Sequence, residues 1–387
     1  MAALLAGALV IVLVLQDAFE VMLLPRRVKR RYRITSAYFR FTWAGWVMLA
    51  RILSPGPRRE RFLGNFGPLS MTLLFAFWAI GLIAGFGLVQ WSAQQIGGLP
   101  PAVDLAGSLY LSGVTFFTLG YGDIVPKTPP GQFAAVLEAG VGFGLIAVVI
   151  GYLPVLYQLF SRRETHVIQL DGRAGSPPTA TTLLTRHAEG DGLDKLDDLL
   201  RSWEVWGAEL LESHLAYPML TYYRSQHDDQ SWLAALAALL DTCTLVLVGV
   251  EDVKPLQARM TFAMLRQVVL EMARSLHVSA PSEPRPSRLS QEHYDAMLGA
   301  FTRVGLTWNG SDQSRETLAA VRATYEPLMQ GLAEHLLTPL PPFVADDDTP
   351  DHWERGPRGI IARRLIDALA TGNLDDSSNG TGAEPVP

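Results

Sequence analysis

From Phe62 to Val103 the chain runs for 42 residues without one Asp, Glu, Lys or Arg. Ordinary water-soluble folds do not carry such a run, whereas stretches of about 18 or more apolar residues read as membrane spans. Charged residues are 18% of the whole, against roughly 25% in soluble domains. They are also unevenly placed. Residues 1–165 hold 14 Lys/Arg and 7 Asp/Glu, net +7, while residues 166–387 hold 18 and 31, net −13. The chain therefore joins a membrane half to an acidic half, and a wholly soluble enzyme is excluded. The only cysteine, Cys243, has no intrachain disulfide partner, and all eight histidines lie beyond residue 165.

An apolar stretch over 2–24 reaches about 34 Å as a helix, enough for a hydrocarbon core of roughly 30 Å. Residues 1–25 are read as a retained transmembrane helix, since no basic n-region or small-residue cleavage site marks a signal peptide. Asp17 and Glu20 share one face near its end, and a charge facing lipid is costly, so they are expected to face protein or the interface. The segment 26–65 follows with 11 Arg and Lys residues and is expected in the cytoplasm by the positive-inside tendency. Within it, 38–53 carries Tyr38, Phe39, Phe41, Trp43 and Trp46 among arginines and reads as an interfacial helix, a basic loop or a span being the alternatives. An outer span at 66–91 and an inner span at 131–160, closed by Arg162 and Arg163, complete three spans. The N-terminus then lies outside and the acidic half inside the cell (inner) membrane, in contact with its lipids.

Between those two spans, residues 104–126 read DLAGSLYLSGVTFFTLGYGDIVP. This is too short to cross and return as two helices, so it is expected to dip in and come back. Non-helical backbone at membrane depth is tolerated only where it lines a water-filled path or is buried in protein. A pore helix at 106–117 is followed by 118–123, Thr-Leu-Gly-Tyr-Gly-Asp, which resembles the T-x-G-Y-G-D signature of bacterial two-span, pore-loop potassium channels. In channels of that family the backbone carbonyls of this loop form the cage that replaces the hydration shell of the ion. Glycines at 120 and 122 suit a backbone whose successive carbonyls all point one way, because this needs left-handed φ at alternate residues.

The resemblance covers about residues 66–163 and implies a two-helix plus pore-loop core in an all-α membrane protein. It implies potassium-selective passive conduction through a homotetramer, with K⁺ bound by Thr118, Leu119, Gly120, Tyr121 and Gly122. Tyr121 is expected to pack against the pore helix. Gly142 matches the inner-helix hinge of such channels, and Pro154 is a rival bending point. Leu119 and Phe117 depart from the usual filter residues, and Val114 stands where some relatives have a glutamate that pairs with the filter aspartate. Asp123 is therefore assigned Tyr110 as its partner. A non-selective cation channel, or a tethered helical sensor with a vestigial pore, are the alternative functions. No enzyme activity, cofactor, metal other than K⁺, or nucleic-acid partner is expected.

Glu138 is the only charge between Lys127 and Arg162. As an intramembrane acid it is either functional or a tether to the back of the pore helix, and sequence does not separate the two. A polar linker is expected at 164–180 and a helical cytoplasmic domain at 181–370, with helices over 191–216, 231–249, 256–276, 291–304, 312–337 and 358–370. Residues 371–387 are expected to be disordered. The apolar run ending at Val250 reads as a core helix because Asp241 interrupts it. His227, Asp228 and Asp229 read as a hydrated loop, with no second group at ligand spacing. The ligand of this domain is unknown from sequence.

Overall fold

The computed structural model describes residues 1–23, 34–95, 103–225, 230–251, 253–281 and 285–345. The basic cluster at 26–33, the 227–229 group, the helix expected at 358–370 and the tail at 371–387 lie outside the described residues. The described residues are helical and contain no strand; one isolated antiparallel bridge pairs Val250 with Trp308. They divide into two compact units, one of 1–162 with 212–224, the other of 163–211 with the residues from 225 onward.

The first unit begins with α1 (Ala2–Met22), α2 (Ile34–Ala50), α3 (Pro57–Gly64), α4 (Phe66–Gln95) and α5 (Leu105–Phe116), and α6 (Pro129–Ala174) carries the chain into the second unit. Among the described residues, three helical stretches are long and apolar enough to cross a membrane, at Ala2–Met22, Pro57–Gln95 and Pro129–Ala174. Small residues let α1 lie against α4: a Cβ on Gly7 would come within 2.5 Å of the Gly85 carbonyl oxygen, and one on Gly81 within 2.9 Å of Val14. Asp17 is buried at this interface. It accepts from the Thr35 backbone N–H at 3.1 Å, the Thr35 hydroxyl at 2.5 Å and Trp78 Nε1 at 3.0 Å. One carboxylate thus caps the first turn of α2 and joins it to α1 and α4.

With 17 residues, α2 measures about 26 Å, short of a hydrocarbon core. Thr35, Phe39, Trp43 and Ala50, spaced by four, four and seven residues, are its buried stripe. That stripe meets a segment from much later in the chain. Tyr222 stacks on Phe39 with ring centres 6.0 Å apart and lies 4.9 Å from Trp43 and 5.3 Å from Phe66. Next to it, Tyr223 occupies the space over Gly67, and Arg224 pairs with Glu60. The same stretch reaches the inner helix, where the Tyr152 hydroxyl contacts Met219 Sδ at 3.3 Å.

The inner helix differs from its expected bounds of 131–160, because α6 continues through most of the expected linker 164–180. Residues 161–174 contain no proline, and Val167 and Leu170 are buried at helical spacing, so the helix has a face to bury. It ends where Gly175 adopts φ 85° and bonds its N–H to the Asp171 carbonyl at 2.9 Å, a left-handed glycine stop followed by Pro177 and Pro178. Pro154 sits inside α6 without ending it.

The second unit contains α7 (Ala180–Ala188), α8 (Leu196–Ala216, whose last turn belongs to the first unit), α9 (Trp232–Val248), α10 (Pro255–Leu276), α11 (Gln291–Arg303), α12 (Asp312–Arg322) and α13 (Glu326–Leu336). Every residue of α9 from Trp232 to Val246 is buried. A helix apolar all round is a core helix, and its neighbours α7, α10, α12 and α13 supply the cover. Serines at 231, 290 and 311 cap α9, α11 and α12 by accepting the N–H three residues on. The single helix expected over 312–337 is two, because Pro327 lacks an N–H and is accepted only in the first turn of a new helix.

Inside this unit Asp241 of α9 meets Arg288 at 2.8 Å and accepts from the Tyr325 hydroxyl at 2.6 Å. Arg288 also grips Glu326 with two bonds of 2.8 and 2.7 Å. Burial alone works against the Glu326 carboxylate, but the Arg288 bonds and the nearby Arg322 outweigh it and hold its carboxyl below the usual range. For Asp241 burial wins over the same arginines, and its carboxyl is raised.

Candidate functional site

The loop between α4 and α6 is built from its first residue. Asp104 caps α5 by accepting the Gly107 N–H at 2.8 Å. The 12 residues of α5 span about 18 Å, too short to cross a membrane core of roughly 30 Å. Its last turn then holds the returning chain. The Leu119 N–H donates to the Val114 carbonyl at 2.8 Å and the Gly120 N–H to the same oxygen at 3.3 Å.

From there the backbone alternates. Thr118 has φ 57°, Gly120 φ 55° and Gly122 φ 80°, with no left-handed residue at 119 or 121. Alternate left-handed residues bring successive carbonyls to one side of the strand, the arrangement a carbonyl-lined ion path needs. A Cβ on Gly120 or Gly122 would meet nothing within 4 Å, so conformation and not space explains glycine there. The left-handed Thr118 goes beyond the sequence expectation. A β-branched residue at positive φ is strained, and such strain collects at functional positions. Its signal in the sequence is the two-residue spacing from 118 to 120 to 122.

The residues singled out from sequence take distinct places. Tyr110 and Asp123 lie close enough for their side chains to interact. Tyr121, expected to pack against the pore helix, is 69% exposed within the single chain, and Leu119 is 53% exposed. Phe133, Val136, Leu137, Phe143 and Ile150 of α6 are exposed as well.

Glu138 is fully buried, and Ser112 of α5 donates to its Oε1. The Ser112 hydroxyl also lies 2.8 Å from the Ile83 carbonyl of α4, so one serine links all three helices of the pore core. This places Glu138 behind the pore helix, away from the exposed Phe143 and Ile150 face. Higher up, Gln90 donates to the Gly131 carbonyl at 3.1 Å and Thr128 to the Ala93 carbonyl at 3.2 Å, fixing the start of α6 on α4.

Gly142 touches the loop directly. A Cβ there would collide with the Phe116 carbonyl oxygen and lie 3.1 Å from the Phe116 ring. Gly140, Gly144 and Gly151 have open space on their Cβ side. Pro154 is exposed and stands two residues beyond the buried Tyr152. Sequence reading misses the role of Gly142 as a contact, since a glycine needed for close approach and one needed for bending look alike in a sequence.

The ion-channel family model matches residues 73–158, from α4 through the loop and into α6. An uncharacterized membrane protein of Bacillus subtilis, YdjJ, is 25% identical over 276 residues, 67% of this chain and 78% of its own length. That likeness extends well beyond the pore segment. The human voltage-gated potassium channel regulatory subunit KCNG2 is 29% identical over 135 residues, 35% of this chain and 27% of KCNG2. The Caenorhabditis elegans small conductance calcium-activated potassium channel-like protein 3 is 32% identical over 83 residues, 21% of this chain and 12% of that protein. No solved structure matches the chain. Residues 73–158 are thus similar to the pore segment of the ion-channel family, carried in an all-α membrane protein.

Proposed function

We propose that this protein is a passive potassium channel made of four copies, in which 118–122 of each chain contribute carbonyl oxygens to stacked rings around one axis. The observation that carries this reading is the alternation of left-handed φ at Thr118, Gly120 and Gly122. One strand supplies only one side of each ring, so conduction requires several copies. The exposed Leu119 and Tyr121, together with the apolar face of α6, are the surfaces a neighbouring copy would cover. The likeness to potassium channel proteins supports K⁺ as the ion.

In this reading the chain sits in the cell membrane with its N-terminus outside. The arginines at 40, 51, 58, 59 and 61 and those at 162 and 163 mark the cytoplasmic side. The gate lies in α6, and the acidic helical unit adjusts it from the cytoplasm.

Purified protein in liposomes tests the proposal. A K⁺ gradient should drive K⁺ flux while an equal Na⁺ gradient should not, and chemical cross-linking should stop at four copies. Equal Na⁺ and K⁺ flux would leave a non-selective cation channel. An assembled tetramer without flux would leave a tethered helical sensor. Reporter fusions at the two ends should fall on opposite sides of the membrane.

A further inference from the structure

The second unit is strongly acidic, yet a cavity of about 490 Å³ between α11, α12 and α13 gathers three of its arginines, Arg285, Arg315 and Arg322, against one carboxylate, Glu326. Cavities of roughly 300–1,000 Å³ hold compact organic ligands. The charges around it can be followed pair by pair. Glu326 is held by Arg288 and by Arg322 at 3.0 Å, and both arginines share Asp241. Arg285 pairs with Glu334 at 2.6 Å.

Arg315 is left over. Among the described residues no carboxylate lies within ion-pair distance of it. Its guanidinium instead lies 4.5 Å over the Tyr294 ring, and Nη2 donates to the Gln291 amide oxygen at 2.6 Å. These neighbours fix the fork in place without neutralising it.

Two further features point the same way. Ser290 and Gln291, at the first turn of α11, also line the cavity, and that end of a helix favours negative charge. Arg322 is 5% exposed and adds positive charge to the wall, its guanidinium held by Ser287 Oγ at 2.9 Å and Glu326 at 3.0 Å, with Asp241 3.7 Å from its Nε. The remaining wall is apolar, with Leu318, Ala319 and Ala323 among its residues. A cationic fork beside an apolar floor suits a ligand with an apolar or aromatic body and one anionic group.

We propose that this cavity is a binding site for a small organic anion, a phosphate or carboxylate on a compact ring-bearing body, with the anionic group against Arg315 and the first turn of α11. Binding is measured without reference to ion flux, so failure here would leave the channel reading standing.

The test uses the full-length protein in detergent and calorimetric titration with adenosine monophosphate and with 1-naphthoate, which separate phosphate from carboxylate. Uncharged adenosine and 1-naphthalenemethanol are the controls. At least one anion should bind saturably and at least roughly tenfold more tightly than its uncharged counterpart, as one charge-assisted contact implies. Arg315→Gln should weaken that anion by a similar factor. Ala319→Trp, which fills the cavity from an exposed position, should abolish binding while leaving the near-UV circular dichroism unchanged. The proposal is overturned if neither anion binds below about 1 mM. It is also overturned if the bound anion is indifferent to Arg315→Gln, or if it still binds the folded Ala319→Trp protein.

Discussion

Gly142 of α6 lies directly against the Phe116 carbonyl oxygen at the end of α5, so the helix proposed to carry the gate and the helix that leads into 118–122 meet at one backbone contact. The sequence resemblance marks Gly142 as a hinge, and a hinge glycine replaced by alanine should alter only opening. The contact changes that expectation. Gly142→Ala should displace Phe116 and, through the Leu119 and Gly120 bonds to Val114, disturb the filter itself. We expect Gly142→Ala to lose K⁺ flux or K⁺/Na⁺ discrimination.

Gly144→Ala separates flexibility from contact, because nothing lies within 4 Å of its Cβ position. Alanine stiffens a helix interior by about 0.5–1 kcal/mol, which four copies acting together raise to about 2–4 kcal/mol. Selectivity should be unchanged, while the open-to-closed ratio falls by roughly 30- to 1,000-fold by the same scale. Single-channel recording of both variants decides between them: unaltered selectivity in Gly142→Ala would remove the filter-contact role. If only Pro154→Ala closes the channel, the bend lies near the proline.

Glu138 behaves as a tether if its position behind the pore helix is its role. Glu138→Gln keeps a polar partner for Ser112 and should leave conductance within a few-fold. Glu138→Ala removes it and opens a cavity, costing about 1–3 kcal/mol of stability. Ser112→Ala combined with Glu138→Ala should cost less than the sum of the two, because both break one contact. Thermal melts of the four proteins check this; strict additivity, or a collapse of conductance in Glu138→Gln, contradicts the tether.

Tyr222 fills the space between Phe39, Trp43 and Phe66, and Tyr222→Ala should cost about 3 kcal/mol by leaving a cavity among rings. Gly67→Ala attacks the same docking from the other side, since its Cβ would lie 2.6 Å from the Tyr223 ring. Hydrogen exchange over 212–224 should quicken in both variants and stay slow in Phe41→Ala, whose ring is exposed.

Acid should weaken the helical unit through the buried His187 and the half-buried His335. Burial lowers His187, helped by the Arg173 charge and opposed by its bond to the Leu183 carbonyl, and burial lowers His335. A histidine whose folded pKa is below its unfolded value binds fewer protons when folded. Its stabilising contribution is therefore present above an unfolded pKa of about 6.5 and declines as pH falls through that value toward the folded one. The melting temperature of this unit should drop between about pH 7 and pH 5, and His187→Gln with His335→Gln should flatten the drop. An unchanged slope in the double variant would assign the acid loss to other groups.

Local chemistry alone determined a good part of this molecule. The uncharged run at 62–103, the arginines at 162 and 163 and the T-x-G-x-G spacing act over a few residues, through transfer energies and backbone sterics that do not depend on distant partners. The same holds for the serine caps at 231, 290 and 311 and the helix start at Pro255. The extension of α6 past residue 160 was hidden because Arg162 and Arg163 read as the end of a span, although a helix needs only one buried face to continue. Tertiary structure decided which groups meet across the chain. Asp17 finds Thr35 and Trp78, Tyr222 finds Phe39, Asp241 finds Arg288, and Gly142 finds Phe116. Each of these pairings depends on how helices pack side by side, and close packing is set by the shapes of surfaces brought together from distant positions, which no local periodicity records.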